Sequence, residues 1–171
     1  MMIRVYLTNL GAYNRGEIIG KWVDLPMDED KLQEEIDSIL EPIDEEFFIT
    51  DFETDIEGLK IDTSEDIFDL NILAEEVDAL SKDEQAILQA IFIVYTSDLM
   101  QALELLKSDD YIVYWNVTNE RELGERIVDE GLLGEIPEQL QYYIDYEAIG
   151  HDWCVNGVTI IPELDLAIEI L

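Results

Sequence analysis

His151 and Cys154 stand three residues apart in GHDWC, a spacing at which an imidazole could act as base to a thiol nucleophile. They are the only histidine and the only cysteine, so the pair supplies just two of the ligands that zinc needs. An ordinary structural histidine and cysteine are the simpler reading. Paired carboxylates could do acid–base work or bind calcium, and the nearest calcium loop is DFETDIEGLKID, Asp51 to Asp62. An EF-hand loop needs glycine at its sixth position and glutamate at its twelfth. Ile56 and Asp62 stand there, with Gly58 two positions late. Diffuse attraction of cations to exposed acids is the better expectation. There is no phosphate-cradling glycine loop, no GxSxG and no HExxH. The expectation is therefore no catalytic residue, no metal, no cofactor and no small-molecule substrate: a protein that is not an enzyme.

What the chain does offer is negative charge. The stretch DEEFFITDFETD, Asp44 to Asp55, holds six carboxylates and three phenylalanines without one basic residue. The phenylalanines argue for a folded segment, so these acids are displayed on something firm. Across 171 residues there are 42 acidic and 9 basic side chains, a formal charge of −33. Hydrophobic residues make up 48%, enough for burial to offset chain entropy. A charge of that size opposes compaction, repels bare nucleic acid and anionic membranes, and attracts basic protein surfaces. No nucleic-acid or membrane partner is expected. No run of 18 or more apolar residues offers a membrane span, and the N-terminal stretch alternates like a strand rather than a signal peptide. With a single cysteine no intrachain disulfide can form. A cytoplasmic location is the simplest expectation.

The elements that must position the acids follow from periodicity. Ile3, Val5 and Leu7 alternate with polar neighbours, predicting a strand, then a turn in GAYNRG and a second strand in EIIGKWVDLP. Leu32, Ile36, Ile39 and Leu40 recur at helical spacing, Pro42 stops that helix, and EEFFITDFE predicts a third strand. SEDIFDLNILAEEVDAL predicts a helix with acids on one face. Ser81 and Glu84 form a capping-box pattern for a second helix, and Ser97 is the expected cap of a third, DLMQALELLK. YIVYWNV predicts a strand, and Asn119 with Glu122 a capped helix through ERELGERIVDE. Gly131 and Gly134 end it, Pro137 suits the first turn of a helix EQLQYYIDY, and VTIIP and LAIEIL predict closing strands.

The fold class expected is α+β, elongated, with three small domains in a row: mixed α/β over 1–60, helical over 61–108, mixed α/β over 109–171. Residues 24 to 84 carry 24 acids against three lysines, so the charge is densest on the first and early second of these. Duplex DNA carries one charge per roughly 1.7 Å of axis, so 33 charges match about 55 Å of duplex. A compact sphere of this chain would span only about 40 Å. Three units in a row would reach DNA-like length. Tyr142, Tyr143, Tyr146 and Trp153 could equally form a partner surface or a small core.

Three stretches resemble the ArdA antirestriction family over essentially the full length: VYLTNLGAYNRGEIIGKWVDLP, EEFFITDFE and, most specifically, LLGEIPEQLQYYIDYEAIGHDW. The resemblance implies a three-domain homodimer, joined through its C-terminal domain, whose acids imitate the phosphates of bent B-form DNA. Such a dimer would occupy the DNA-binding groove of a type I restriction–modification enzyme, its methyltransferase and specificity core, and protect a mobile genetic element. The acids expected on that surface are Asp28, Glu29, Asp30, Glu34 and Glu35, followed by Asp44, Glu45, Glu46, Asp51, Glu53, Asp55 and Glu57. Glu65, Asp66, Asp69, Glu75 and Glu76 extend it through the middle, and Asp109, Asp110, Glu122, Asp129 and Glu130 into the last third. The antirestriction-like motif, with the implied dimer contact, comprises Leu133, Gly134, Glu135, Ile136, Pro137, Leu140, Tyr142, Tyr143, Asp145, Tyr146, Gly150 and Trp153. Two other classes compete. An acidic chaperone-like binder would take basic DNA-binding or nucleoid proteins broadly, and a halophilic protein would be acidic for solubility alone and lose its fold at low salt.

Overall fold

The computed structural model describes residues 1–171, which form two compact units, Met1–Leu103 and Glu104–Leu171. The chain is α+β, with one three-stranded antiparallel sheet in each unit. The boundary expected near residue 60 lies inside the first unit.

In the first unit β1 (Ile3–Asn9) is central, between β2 (Gly20–Leu25) and β3 (Phe47–Thr54). Ile3, Val5 and Leu7 are buried on one face, as their alternation predicts, with α2 (Glu29–Asp37) supplying Leu32 and Ile36 to the core. Burying each such side chain contributes about 1.5–3 kcal/mol. The expected turn GAYNRG begins as a short helix, α1 (Leu10–Asn14). Buried Asn9 caps it, its Oδ1 accepting from Ala12 N at 2.8 Å. A one-residue slip in a strand exchanges its two faces. β3 contains one, because Tyr6 opposes Asp51 while Leu7 opposes Ile49, leaving Thr50 as a bulge. Strict alternation would put Ile49, Asp51 and Glu53 on the same, core face. The bulge instead turns Phe52 inward, opposite Val5, and Asp51 and Glu53 outward.

Three helices follow: α3 (Ile67–Asp78), α4 (Lys82–Val94) and α5 (Leu99–Ser108). The capping box is present on α4, with Ser81 and Glu84 bonded reciprocally. α5 starts differently from expectation. Asp98, not Ser97, caps it, its Oδ1 accepting from Gln101 N at 2.8 Å as the residue directly before Leu99, while Ser97 O accepts from Lys60 N at 2.9 Å. Two side-chain amides tie these helices to the segments that follow β2 and β3. Asn71 on α3 accepts from Met27 N (2.9 Å) and donates to Met27 O (2.8 Å). Gln89 on α4 accepts from Glu57 N (3.1 Å) and donates to Glu57 O (2.8 Å).

In the second unit β4 (Tyr111–Trp115) and β5 (Thr159–Ile161) flank β6 (Leu166–Ile170). α6 (Glu120–Asp129) opens at Asn119 as expected, its Oδ1 accepting from Glu122 N at 3.0 Å. The helix predicted over EQLQYYIDY is instead a 3-10 turn over Glu138–Tyr143 with no buried residue. Without a core to face, those side chains give a helix nothing to pack against. The regular helix is α7 (Tyr146–Val155), capped by Asp145 and packed closely on α6. A Cβ on Gly150 would lie 1.8 Å from Glu120 O, and one on Gly124 1.8 Å from Tyr146 O. Glycine at both positions is what lets the helices approach. Tyr114, Val117, Leu123, Ile127, Val158 and Ala167 form the core, with Ile149, Trp153 and Cys154 against it.

Candidate functional site: a displayed acidic surface

Most of the acids expected at the surface are exposed. On α2 and its cap these are Asp28, Glu29, Asp30 and Glu34. Around β3 they are Glu45, Glu46, Asp51, Glu53, Asp55 and Glu57, and on α3 and its cap Asp66, Asp69 and Glu75. Asp109, Asp110, Asp129 and Glu130 are exposed in the second unit. Glu35, Glu65, Glu76 and Glu122 are half-buried, each beside its own helix or turn.

Several acids have local partners that make their charge favourable to the fold. Asp28 and Asp66 cap α2 and α3, and acids also fill the first turns of α2, α4 and α6. Negative charge at a helix N-terminus is stabilising, which offsets part of the self-repulsion. Glu84 and Glu122 are held below the usual carboxylate range by hydrogen bonds from Ser81 and from Thr118 respectively. The arginines are all paired. Arg4, on the outer face of β1, lies 3.0 Å from Asp24 and 3.2 Å from Glu53, with its guanidinium 5.1 Å from the Trp22 ring centre. Arg121 pairs with Glu125 and Arg126 with Glu130 one turn along α6. Lys21 pairs with Glu35.

Asp44 departs from the expected array. Its side chain is only 4% exposed, and Arg15 grips it with two bonds of 2.7 and 2.9 Å while also reaching Glu41 at 3.0 Å. Asn9 Nδ2 donates to the same carboxylate and to Ile39 O, each at 3.0 Å. The hydrogen bonds from Arg15 keep Asp44 below its ordinary carboxylate range. A Cβ on Gly11 would stand 2.0 Å from Asp44 Oδ1, so glycine there makes room for the lock. Leu10 N donates to Glu46 O at 3.0 Å. Asp44 thus fixes the loop from which Glu45 and Glu46 project. The loop's sequence contains no sign of this, since Arg15 is distant along the chain.

The motif residues divide. Gly150 and Trp153 lie in the α6–α7 packing and core, while Tyr146 starts α7 half-buried and Asp145 caps it. Leu133, Gly134, Glu135, Pro137 and Leu140 are exposed and Ile136 is half-buried. Tyr142 and Tyr143 are 93% and 84% exposed. The four aromatics therefore do both jobs: two support the fold, two face solvent. A shallow depression lined by Val128, Gly131, Gly134, Ile136, Pro137 and Gln141 runs beside this segment. His151 and Cys154 have different surroundings. His151 Nδ1 is 2.9 Å from Glu120 Oε1, and Cys154 faces the core, where burial pushes its thiol up.

A surface of exposed carboxylates, anchored from beneath and confined to no cleft, defines a charge-presenting α+β protein. A family model described as antirestriction protein (ArdA) matches residues 5–163, and the chain belongs to that family. No curated protein matches the chain. No helix is long and apolar enough to cross a membrane.

Proposed function

We propose that this protein is an antirestriction protein that imitates the charge and shape of bent B-form DNA. It occupies the DNA-binding groove of a type I restriction–modification enzyme, acting as a cytoplasmic homodimer that carries out no catalysis and needs no cofactor. The observation that carries the reading is the bulge at Thr50, which turns Asp51 and Glu53 to solvent while Phe52 anchors the strand. Enzymes that bind DNA gain much of their affinity from Lys and Arg contacts with phosphates and the counterions released. Outward carboxylates, spaced by a strand at about 3.3 Å per residue on alternate faces, engage the same cations without offering a bond to cut. Copying charge rather than bases also suits targets that differ in sequence. The exposed Leu132–Tyr143 segment supplies the apolar surface for dimerisation. The family membership supports the antirestriction role.

The test is displacement of duplex DNA from a purified type I methyltransferase core by this protein, titrated at several salt concentrations. Stoichiometric displacement by a dimer, weakening as salt rises, is expected. Failure to displace DNA at low salt from enzymes of several type I families would overturn the reading and favour a binder of some other basic partner.

A further inference from the structure

Four neutral hydrogen bonds hold the acid-bearing segments of the first unit together. Asn71 takes both backbone groups of Met27, the residue immediately before Asp28, Glu29 and Asp30. Gln89 takes both backbone groups of Glu57, at the end of the acid-rich run that begins at β3. The helices that carry Asn71 and Gln89 bear acids of their own. Each grip therefore joins two negatively charged elements that repel one another. Lysine–carboxylate pairs could do the same work, but each would cancel a charge. A carboxamide holds without cancelling. The chemistry is selective as well, because one group must accept through oxygen and donate through nitrogen to the same residue. A carboxylate placed there would set its lone pairs against the Met27 or Glu57 carbonyl. Neighbouring contacts point the same way: Lys60 N donates to Ser97 O at 2.9 Å, and a Cβ on Gly58, at φ +89°, would stand 3.0 Å from Phe92 O.

We propose that Asn71 and Gln89 are positioning residues for the acidic surface, fixing the spacing of the acids on α2 and β3 relative to those on α3 and α4 without reducing the charge. This rests on the proposed function, since a groove shaped for phosphates rewards carboxylates held in register. Charge and placement can then be separated by variants that add the one and break the other. Gln89→Glu and Asn71→Asp each add a negative charge and remove a donor that joins two segments, whereas Gln33→Glu adds the same charge and removes a donor only to Asp37, one turn along the exposed face of α2.

The experiment is displacement of duplex DNA from a type I methyltransferase core by the full-length protein and these variants, at matched folded concentration and over a range of salt. Gln33→Glu is expected to displace DNA as well as the parent or better. Gln89→Glu and Asn71→Asp are expected to require at least about tenfold more protein, the equivalent of one or two lost hydrogen bonds. Their salt dependence is expected to be shallower, since fewer acids engage at once. A purely structural role would change the unfolding midpoint and leave that slope alone. Amide exchange at Glu57 is expected to speed up in Gln89→Glu. Should buried Asn71→Asp not fold, half-exposed Gln89 carries the test. Variants that match the parent in affinity and slope would overturn the positioning role alone. A parent protein that displaces no DNA would overturn the proposed function and this inference with it.

Discussion

The acidic run from Asp44 to Glu57 and the motif segment from Leu132 to Tyr143 both lie at the surface, yet they are built in opposite ways. The first is anchored at every few residues: Asp44 by Arg15 and Asn9, Phe52 by the core opposite Val5, Glu57 by Gln89. Its exposed groups are charged and content in water. The second has almost no anchors, its 3-10 turn buries nothing, and Leu132, Leu133, Leu140, Tyr142 and Tyr143 face solvent. A charged surface can be complete in the isolated chain. An exposed apolar one is completed by a partner, because contiguous apolar area on a soluble protein marks an interaction site. Under the proposed function the two regions would make two kinds of contact, one electrostatic and one hydrophobic.

The largest effect is expected where the platform beneath the motif is weakest in tolerance. Gly150→Ala would drive a methyl group into the Glu120 carbonyl, and backbone cannot move aside as a side chain can. The destabilisation is expected to exceed the 1–3 kcal/mol typical of overpacking, read as loss of the second unit's thermal transition. Next comes the acidic run. Glu45→Gln, Glu46→Gln and Asp51→Asn are each expected to weaken DNA displacement by less than about fivefold, and all three together much more, because exposed charges contribute little singly. One single change that abolished displacement while leaving the fold intact would replace a distributed surface with a focused site. Tyr142→Ala with Tyr143→Ala is expected to leave the unfolding midpoint unchanged, given their exposure, and to weaken self-association in sedimentation equilibrium. If the midpoint fell and association held, the motif segment would be part of the fold after all.

The smallest effect concerns pH. The hydrogen bond and charge of Glu120 raise His151 above the ordinary imidazole value of 6.5. A raised folded value means the pair is fully stabilising below the unfolded pKa and is lost as pH rises through the folded one. A His151→Gln variant should therefore differ from the parent in thermal stability at pH 5.5 and converge with it above the raised imidazole value. Asp44 has the opposite sign. Its depressed value means its contribution is present above the ordinary carboxylate range and disappears as pH falls through the folded value.

Much of this was legible in the residues. Alternation at Ile3, Val5 and Leu7, the apolar spacing of α3 and the Ser81–Glu84 box all lead to the observed elements. What escaped was non-local or contrary to local preference. α7 contains Gly150, which disfavours helix, and the reason for tolerating it lies 30 residues away at Glu120. The Asp145 cap and the spacing of Tyr146, Ile149 and Trp153 were available signals for that helix. The bulge at Thr50 depends on which residue of β1 each residue of β3 faces, which no single strand reveals. The Asp44 lock and the two amide grips join residues 29, 44 and 32 positions apart, and Asn71 and Gln89 are neutral residues among conspicuous acids. Charge marks the surface in sequence; what holds the surface in place is invisible there.

The central claim is that the outward acids of the first unit make the contact with the restriction enzyme. The most direct measurement is carbodiimide footprinting of carboxylates, free and bound to a type I methyltransferase core, read residue by residue in a mass spectrometer. The mimic reading predicts that Glu45, Glu46, Asp51 and Glu53 lose reactivity in the complex while Asp44, already enclosed by Arg15, changes little. Unchanged reactivity at those four, with protection confined to Leu132–Tyr143 and its flanking acids, would contradict it.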